Sequence, residues 1–296
     1  MAALIDSQKA ALSLHPSPHP HPHPPTQQDD SAASHGASSE ADRDTPRIEG
    51  EGTCESEWWS TAHLHQCPSI RIETLLPAER RLVVVAPHPD DEVLGCGGLL
   101  SMALQRQTIG TGPLLIGVTD GEASHPDSTR WTPSDLVRQR GCERARGLAA
   151  LGGGTDLRLL RLADGGVADA EQALVQKLAP LLRPTDVVVT TWRGDGHPDH
   201  QACGRACAGL VGRIGFSFWE MPVWMWHWAV PADRRVPWHQ MVQLPLTAVA
   251  RQRKRVAIEA HRSQLDPDPG RAPVLPPSSI DRLLRPAEFF FRGETA

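Results

Sequence analysis

The chain has 296 residues, of which 40% are hydrophobic and 22% are charged. This length can bury one full hydrophobic core but hardly two large ones, so we expect one main domain. The formal net charge of -5 at pH 7 argues against binding to nucleic acid or to an anionic membrane, because both require a basic surface. A small neutral or mixed-charge molecule is the expected partner.

The N-terminal residues differ in composition from the rest of the chain. An alternating His-Pro run covers residues 15–25, and a stretch rich in Ser, Ala, Asp and Glu follows it. Such a segment has too little apolar surface to offset the entropy lost on ordering. We therefore expect a disordered tail over residues 1–50 and a single domain over residues 51–296, with its catalytic core at about 78–266.

Short apolar runs alternate with helical patterns from about residue 71 onward, which is typical of βα units on a mostly parallel sheet. The predicted strands cover residues 82–86, 114–119, 157–162 and 187–191, and the predicted helices cover residues 92–105, 134–151, 170–182, 200–212 and 246–264. Pro133 and Ser134 are expected to cap the second helix. Residues 216–228 predict a strand leading into an irregular tryptophan-rich turn. Five prolines between 267 and 277 then break regular structure before a closing segment at 280–292.

Side chains that commonly bind metals follow two of the predicted strands directly. Residues 86–92 read APHPDDE, and residues 194–200 read GDGHPDH. In an open parallel sheet, ligands bind beyond the carboxyl ends of the strands, so the two loops should meet there. His88, Asp91 and His200 would supply two imidazoles and one carboxylate, a set that leaves zinc an open position for water. The pattern predicts a catalytic site with one zinc ion per chain.

Three further residues in these loops can carry chemistry. Asp90 can take a proton from water that the metal has made acidic. His197 can protonate a leaving group or stabilise an oxyanion, and Asp199 can fix the tautomer of an imidazole by accepting its hydrogen bond.

The two motifs, His88-Pro-Asp-Asp-Glu92 and His197-Pro-Asp-His200, resemble the signature of the PIG-L/LmbE-like family of zinc-dependent de-N-acetylases. The resemblance covers residues 82–264. It implies a Rossmann-like α/β/α fold of three layers with the active site at the C-terminal ends of the strands. It also implies the same three zinc ligands, with Asp90 as general base and with His197 acting on the oxyanion or the amine. Asp199 would orient His197, and an acetamido sugar or glycoconjugate would be the substrate.

The resemblance also points to residues that bind substrate. Arg140 belongs to an R-x-x-E pattern that lines the substrate site in the family, although a surface ion pair with Glu143 is an equal alternative. Asp164 follows the third strand and can contact sugar hydroxyls. Trp226 lies in residues 223–228, whose alternate tryptophans share one face if the segment is extended. That face could form a wall of the pocket or cover the core.

The sequence departs from some family members at one position. They have a tyrosine two residues before the first histidine of the second motif, where it can polarise the scissile carbonyl, but this chain has Asp195 there and 0 Tyr in total. The oxyanion would then depend on zinc and His197, or on another donor. Three rival functions remain open: a zinc amidase acting on a non-acetyl amide such as a thiol conjugate, a metallo-phosphoesterase, and a noncatalytic sugar-binding module. The two motifs supply few carboxylates for two-metal phosphate chemistry, and the presence of Asp90 and His197 disfavours the binding module.

The six cysteines form no CxxC pair and are too sparse for a disulfide scaffold, which indicates a reducing cytoplasm. The N-terminus lacks a basic start followed by an apolar run, and no stretch approaches about 18 uninterrupted apolar residues. We therefore expect neither export nor integral membrane association. The preference for Arg over Lys, with abundant Ala, Gly and Pro, would suit a GC-rich bacterial genome.

Overall fold

A computed structural model of the chain describes residues 46–106 and 112–293. Its strands are β1 (Arg81–Ala86), β2 (Leu114–Thr119), β3 (Asp156–Leu162), β4 (Asp186–Thr191), β5 (Ser217–Met221), β6 (Met241–Pro245) and β7 (Ala287–Arg292). Its helices are α1 (Glu55–Trp59), α2 (Ala62–Gln66), α3 (Ile72–Leu75), α4 (Asp91–Gln105), α5 (Pro133–Leu151), α6 (Glu171–Leu178), α7 (Pro198–Ile214), α8 (Met225–Trp228), α9 (Ala248–Glu259), α10 (Arg262–Leu265) and α11 (Pro277–Leu283). Two short 3₁₀ turns, Ala179–Leu181 and Trp238–Gln240, complete the order.

The seven strands form one sheet in the order β3-β2-β1-β4-β5-β7-β6. Strands β1 to β5 are parallel to one another, and β7 runs antiparallel to both β5 and β6. Helices α4, α5 and α9 cover one face, and α6 and α7 cover the other, so each face has its own apolar core. Because β1 and β4 are covered on both sides, they are almost continuously apolar. This arrangement confirms the predicted α/β fold with a mostly parallel sheet between helical layers.

The order of the strands reverses between β1 and β4. The chain moves outward from β1 to β2 and β3, then returns to β4 beside β1 and continues outward to β5. Such a reversal leaves a crevice at the carboxyl ends of the two central strands, where ligands bind in open α/β sheets. Both motifs identified in the sequence follow these two strands, so the fold brings them together.

The four predicted strands agree with β1 to β4 to within one residue, but the structure corrects several other elements. The predicted helix at 246–264 ends at Glu259 and resumes at α10, because His261 has non-helical backbone angles. The side chain that caps α5 is Thr132, which accepts a hydrogen bond from the Asp135 N–H. The sequence pattern does not predict strand β6, and the closing segment resolves into α11 and β7.

The predicted tail at 1–50 lies outside the described residues except for positions 46–50. The boundary at residue 51 therefore stays a prediction. Among the helices of the described segments, none combines the length and the apolar character that crossing a membrane would need.

A buried carboxylate stabilises a kink in α4. Cys96 has non-helical backbone angles there, and the freed N–H groups of Gly98 and Leu99 donate to the Glu288 carboxylate at 2.7 and 2.8 Å. The Lys254 ammonium contacts the same carboxylate at 2.7 Å, and both side chains are buried. The three interactions join α4, α9 and β7.

We expect Glu288→Gln to lower the free energy of unfolding by about 3 kcal/mol, because it leaves the Lys254 charge buried without a counter-ion. Urea unfolding followed by circular dichroism measures this change. Glu259→Gln, at an exposed position of α9, is the matched control and should unfold like the wild-type protein. Equal midpoints for all three proteins would show that the buried ion pair contributes nothing to stability.

Candidate active site

Three side chains with potential metal-ligand atoms lie in the crevice between β1 and β4. His88 lies in the loop after β1, Asp91 begins α4, and His200 lies in the first turn of α7. The distances are 3.1 Å from His88 Nδ1 to Asp91 Oδ2, 3.2 Å from His88 Nδ1 to His200 Nε2, and 3.3 Å from Asp91 Oδ2 to His200 Nε2. The three atoms therefore form a nearly equilateral triangle.

This triangle has the dimensions of a zinc site. Ligand atoms about 2.0–2.1 Å from a tetrahedral ion lie about 3.3–3.4 Å from one another, close to the three distances observed. Two other groups share His88: one with His197 and His200, the other with Asp164 and Asp199, and the donor atoms of each lie within 4.8 Å. We favour the triangle because its three edges are nearly equal and match those of a tetrahedral zinc site. The residues present fit the predicted ion.

Asp195 holds His200 in the tautomer that a metal ligand needs. Its carboxylate lies 2.7 Å from His200 Nδ1 and also accepts the backbone N–H groups of Val223, Trp224 and Met225, each at 2.9 Å. With four donors around two oxygens, the imidazole proton must lie on Nδ1, which leaves Nε2 free to bind a metal. Burial alone would lower the pKa of His200, but Asp91 and Asp195 raise it to about 9.

In the sequence, Asp195 was notable only because it occupies the position of a tyrosine that can polarise the scissile carbonyl in some family members. The structure gives it a different task, because its side chain faces His200 and the backbone of 223–225. The next residue, Gly196, has φ +94°, and a Cβ there would lie 2.8 Å from Trp228 Nε1. A glycine is therefore needed for the turn that joins Asp195 to His197.

Asp195→Asn should weaken zinc binding by about ten- to a hundredfold, because an amide cannot accept all four hydrogen bonds and turns an NH₂ group toward N–H donors. Competition with a chromogenic chelator measures the zinc affinity. Asp169→Asn is the matched control, since Asp169 is exposed on the loop before α6. An unchanged affinity in Asp195→Asn would show that the tautomer of His200 does not depend on this carboxylate.

His88 is oriented from its other nitrogen. Its Nε2 lies 3.2 Å from Asp164 Oδ1 and 3.4 Å from Asp199 Oδ2. A proton on Nε2 can bind these carboxylates, and Nδ1 is then the metal-binding atom of the triangle. Burial favours the neutral form, but the hydrogen bonds that the protonated imidazole donates to Asp164, Asp199 and Asp91 raise the pKa of His88 well above its ordinary value. Asp164 also lines the cavity, as its predicted role in substrate binding requires.

The contact expected between the Asp199 carboxylate and His197 is corrected by the structure. That carboxylate accepts the Gly165 and Val167 N–H groups at 2.8 and 3.1 Å and faces His88. The backbone N–H of Asp199 donates to His197 Nδ1 at 3.2 Å instead. His197 is the N-cap of α7, and its proton must therefore lie on Nε2. Burial and the neighbouring His200 and His88 lower the pKa of His197 to about 3.

Asp90 lies beside the triangle and pairs with Arg140, whose Nη2 is 3.1 Å from Asp90 Oδ2. Arg140 also donates to the Gly121 carbonyl at 3.0 Å and is buried, so the alternative of a surface ion pair with Glu143 is wrong. Glu143 instead accepts the N–H and hydroxyl of Ser263 at 2.8 and 2.6 Å. Burial raises the pKa of Asp90, and the Arg140 charge opposes part of that shift.

A cavity of about 340 Å³ opens over these groups. Trp226, predicted to line it, packs in the core against Trp58 and Phe289, with ring centroids 5.1 Å apart in both pairs. The reason is that residues 225–228 form a helical turn and are not extended. Trp224, which shares the predicted face with Trp226, lines the cavity together with Gln264 and with Ile48, which the sequence did not identify as a site residue.

Gln264 is connected to Arg140 by a chain of side-chain contacts. It ends the segment His261-Arg-Ser-Gln264, and its Nε2 donates to Ser263 Oγ at 2.9 Å. Ser263 in turn binds Glu143, one helical turn after Arg140. This chain of contacts fixes two residues of the cavity, Arg140 and Gln264, against each other.

The chain is similar to known proteins over the part that contains the site. The family model described as PIG-L, GlcNAc-PI de-N-acetylase, matches residues 83–211, a range that includes His88, Asp91, His200, Asp90 and His197. The conserved protein TT1542 from Thermus thermophilus is 26% identical, with 73% of this chain and 96% of that chain covered and a TM-score of 0.52. A search of curated proteins gave no match.

Two further solved structures share the fold. The N,N'-diacetylchitobiose deacetylase from Pyrococcus horikoshii is 17% identical, with 71% of this chain and 82% of that chain covered and a TM-score of 0.51. The zinc inhibited form of teicoplanin deacetylase Orf2 is 20% identical, with 73% and 100% covered and a TM-score of 0.54.

Proposed function

We propose that this chain, whose residues 83–211 form a PIG-L domain, is a zinc-dependent hydrolase that removes the N-acetyl group from an acetamido sugar or glycoconjugate. The proposal rests on the triangle of His88, Asp91 and His200 with Asp90 beside it, of which His88 and Asp90 line a cavity of about 340 Å³. The two solved relatives that are named as deacetylases support the reaction type.

Zinc bound by the three side chains would polarise the amide carbonyl and lower the pKa of water. Asp90 is the general base, because its carboxylate lines the cavity next to the ligands and is held by Arg140. It takes the proton of the attacking water and can return it to the leaving amine.

His197 stabilises the oxyanion that forms when water attacks the amide. Its Nδ1 accepts the Asp199 N–H, so its Nε2–H is available to donate into the cavity that the side chain lines. A neutral imidazole can perform this task without changing its charge. His197 is therefore assigned to the oxyanion and Asp90 to proton transfer.

We also propose that the protein works in the cytoplasm. All six cysteines are unpaired, including three that are fully buried, which supports a reducing compartment.

Acetate release tests the proposed function. The purified chain is freed of metal, reloaded with one equivalent of zinc, and incubated with N-acetylglucosamine, its simple glycosides and N,N'-diacetylchitobiose. We expect acetate from at least one acetamido sugar with the zinc-loaded protein and none with the metal-free protein. Absence of acetate from every acetamido sugar would contradict the assigned reaction.

A further inference from the structure

The cavity over the triangle is lined by two chemically different sets of residues. The polar and charged set includes His88, Asp90, Arg140, Asp164 and His197, which all lie within the residues that match the family model. Four apolar lining residues lie outside that match; we call them the apolar wall, namely Ile48, Trp224, Val274 and Leu275. The residues proposed for chemistry and the apolar wall thus come from different parts of the chain.

The N-terminal part of the wall is fixed to the domain. Residues 46–53, the strap, carry Ile48 and are held by backbone hydrogen bonds: Thr53 N–H donates to the His227 carbonyl at 2.9 Å, and His227 Nε2–H donates to the Glu49 carbonyl at 3.1 Å. The Arg282 guanidinium, which is buried, donates to the Glu51 and Thr53 carbonyls at 3.1 and 2.7 Å. These four hydrogen bonds hold the backbone of the strap against the domain.

The rest of the wall is fixed as firmly. The Leu275 N–H donates to the Gln264 carbonyl at 2.9 Å, which ties the proline-rich segment to a cavity residue. The Trp224 N–H donates to Asp195, which also holds His200. The wall is therefore preformed at a fixed distance from the triangle, and an apolar ligand group would bind it without ordering any loop.

We propose that the apolar wall selects substrates in which the acylated amine carries an apolar substituent, such as an alkyl or aryl aglycone on the acetamido sugar. This inference rests on the proposed function. Ile48, Trp224 and Val274 are partly exposed and line the cavity. The group removed in the proposed reaction is an acetyl group, so a larger apolar substituent that contacts the wall belongs to the amine side of the substrate.

Matched substrates test this selection. Acetate release is measured with the zinc-loaded full chain on N-acetylglucosamine and its n-hexyl β-glycoside, and hexanoate release is measured on N-hexanoylglucosamine. Burial of one methylene is worth about a fourfold gain in binding, so contact with two or three should raise kcat/KM for the hexyl glycoside about tenfold or more, mainly through KM. Ile48→Ser and Val274→Ser should each remove most of that preference, measured as the ratio of the kcat/KM values for the hexyl glycoside and N-acetylglucosamine. Val249→Ser, at an exposed position of α9, should keep it.

Calorimetry separates failure of this inference from failure of the proposed function. The zinc-loaded chain should bind n-hexyl β-glucoside, which has no amide, more tightly than glucose, and Ile48→Ser should abolish the difference. Binding of the hexyl glucoside without any acetate release would support the wall and contradict the proposed reaction. Acetate release with equal kcat/KM for free and hexyl sugars, or a preference for N-hexanoylglucosamine, would overturn the wall as a selector of amine-side groups.

Discussion

Asp90→Asn is expected to lower kcat for acetate release by about a thousandfold while leaving one zinc bound per chain. The amide cannot take a proton from the attacking water, and general-base catalysis contributes about 10²–10⁴ in rate. Asp90 is not part of the triangle, since its carboxylate pairs with Arg140 at 3.1 Å. Steady-state kinetics and elemental analysis of the same purified sample give both results.

Asp169→Asn controls for the loss of a carboxylate elsewhere and should keep full activity, because Asp169 is exposed. Retained turnover in zinc-loaded Asp90→Asn would refute the assignment of Asp90 as base. Loss of zinc from this variant would instead place Asp90 among the ligands.

His88→Ala should lose stoichiometric zinc and, with it, all acetate release. His88 contributes the atom that is 3.1 and 3.2 Å from the other two members of the triangle. Its removal leaves two ligands, too few for a stable catalytic zinc site. Elemental analysis after gel filtration measures the zinc content, and circular dichroism checks that the fold is retained.

His239→Ala is the matched control, because His239 is an exposed histidine on the 3₁₀ turn before β6. It should bind one zinc per chain. A full equivalent of zinc in His88→Ala would show that the protein binds zinc at a site that does not include His88.

The central strands and the ligands were predictable because local sequence determines both. The valine runs of β1 and β4 are buried on both sides of a parallel sheet, which makes them continuous apolar segments with clear ends. The loops that follow carry His88, Asp91 and His200, and the carboxyl ends of adjacent parallel strands necessarily meet. Spacing along the chain was therefore enough to predict their convergence.

Features that depend on distant contacts were not predictable. The placement of Trp226 in the pocket assumed an extended segment at 223–228, but Asp195 accepts three backbone N–H groups of 223–225 and a helical turn follows. This contact places Trp224 in the cavity and Trp226 in the core. Arg140 pairs with Asp90 and not with its helix neighbour Glu143, because Ser263 already occupies that carboxylate.

Strands β6 and β7 could not be predicted from the local sequence for a similar reason. Strand β7 completes the sheet only by pairing antiparallel with β5 and β6, which lie far from it in the sequence. Its Glu288 is a buried carboxylate in an apolar run, and it is satisfied by Lys254 and by the kink in α4. Neither partner is visible from the local pattern around residue 288.

The dependence of activity on one zinc ion held by His88 is measured by titrating the metal-free protein with zinc and following acetate release at each point. Activity on an acetamido sugar should rise in proportion to added zinc, reach its plateau at one equivalent per chain, and not appear in His88→Ala at one equivalent. Full activity in the protein freed of metal, or a rise that is the same in His88→Ala, would contradict a catalytic zinc ion at the triangle.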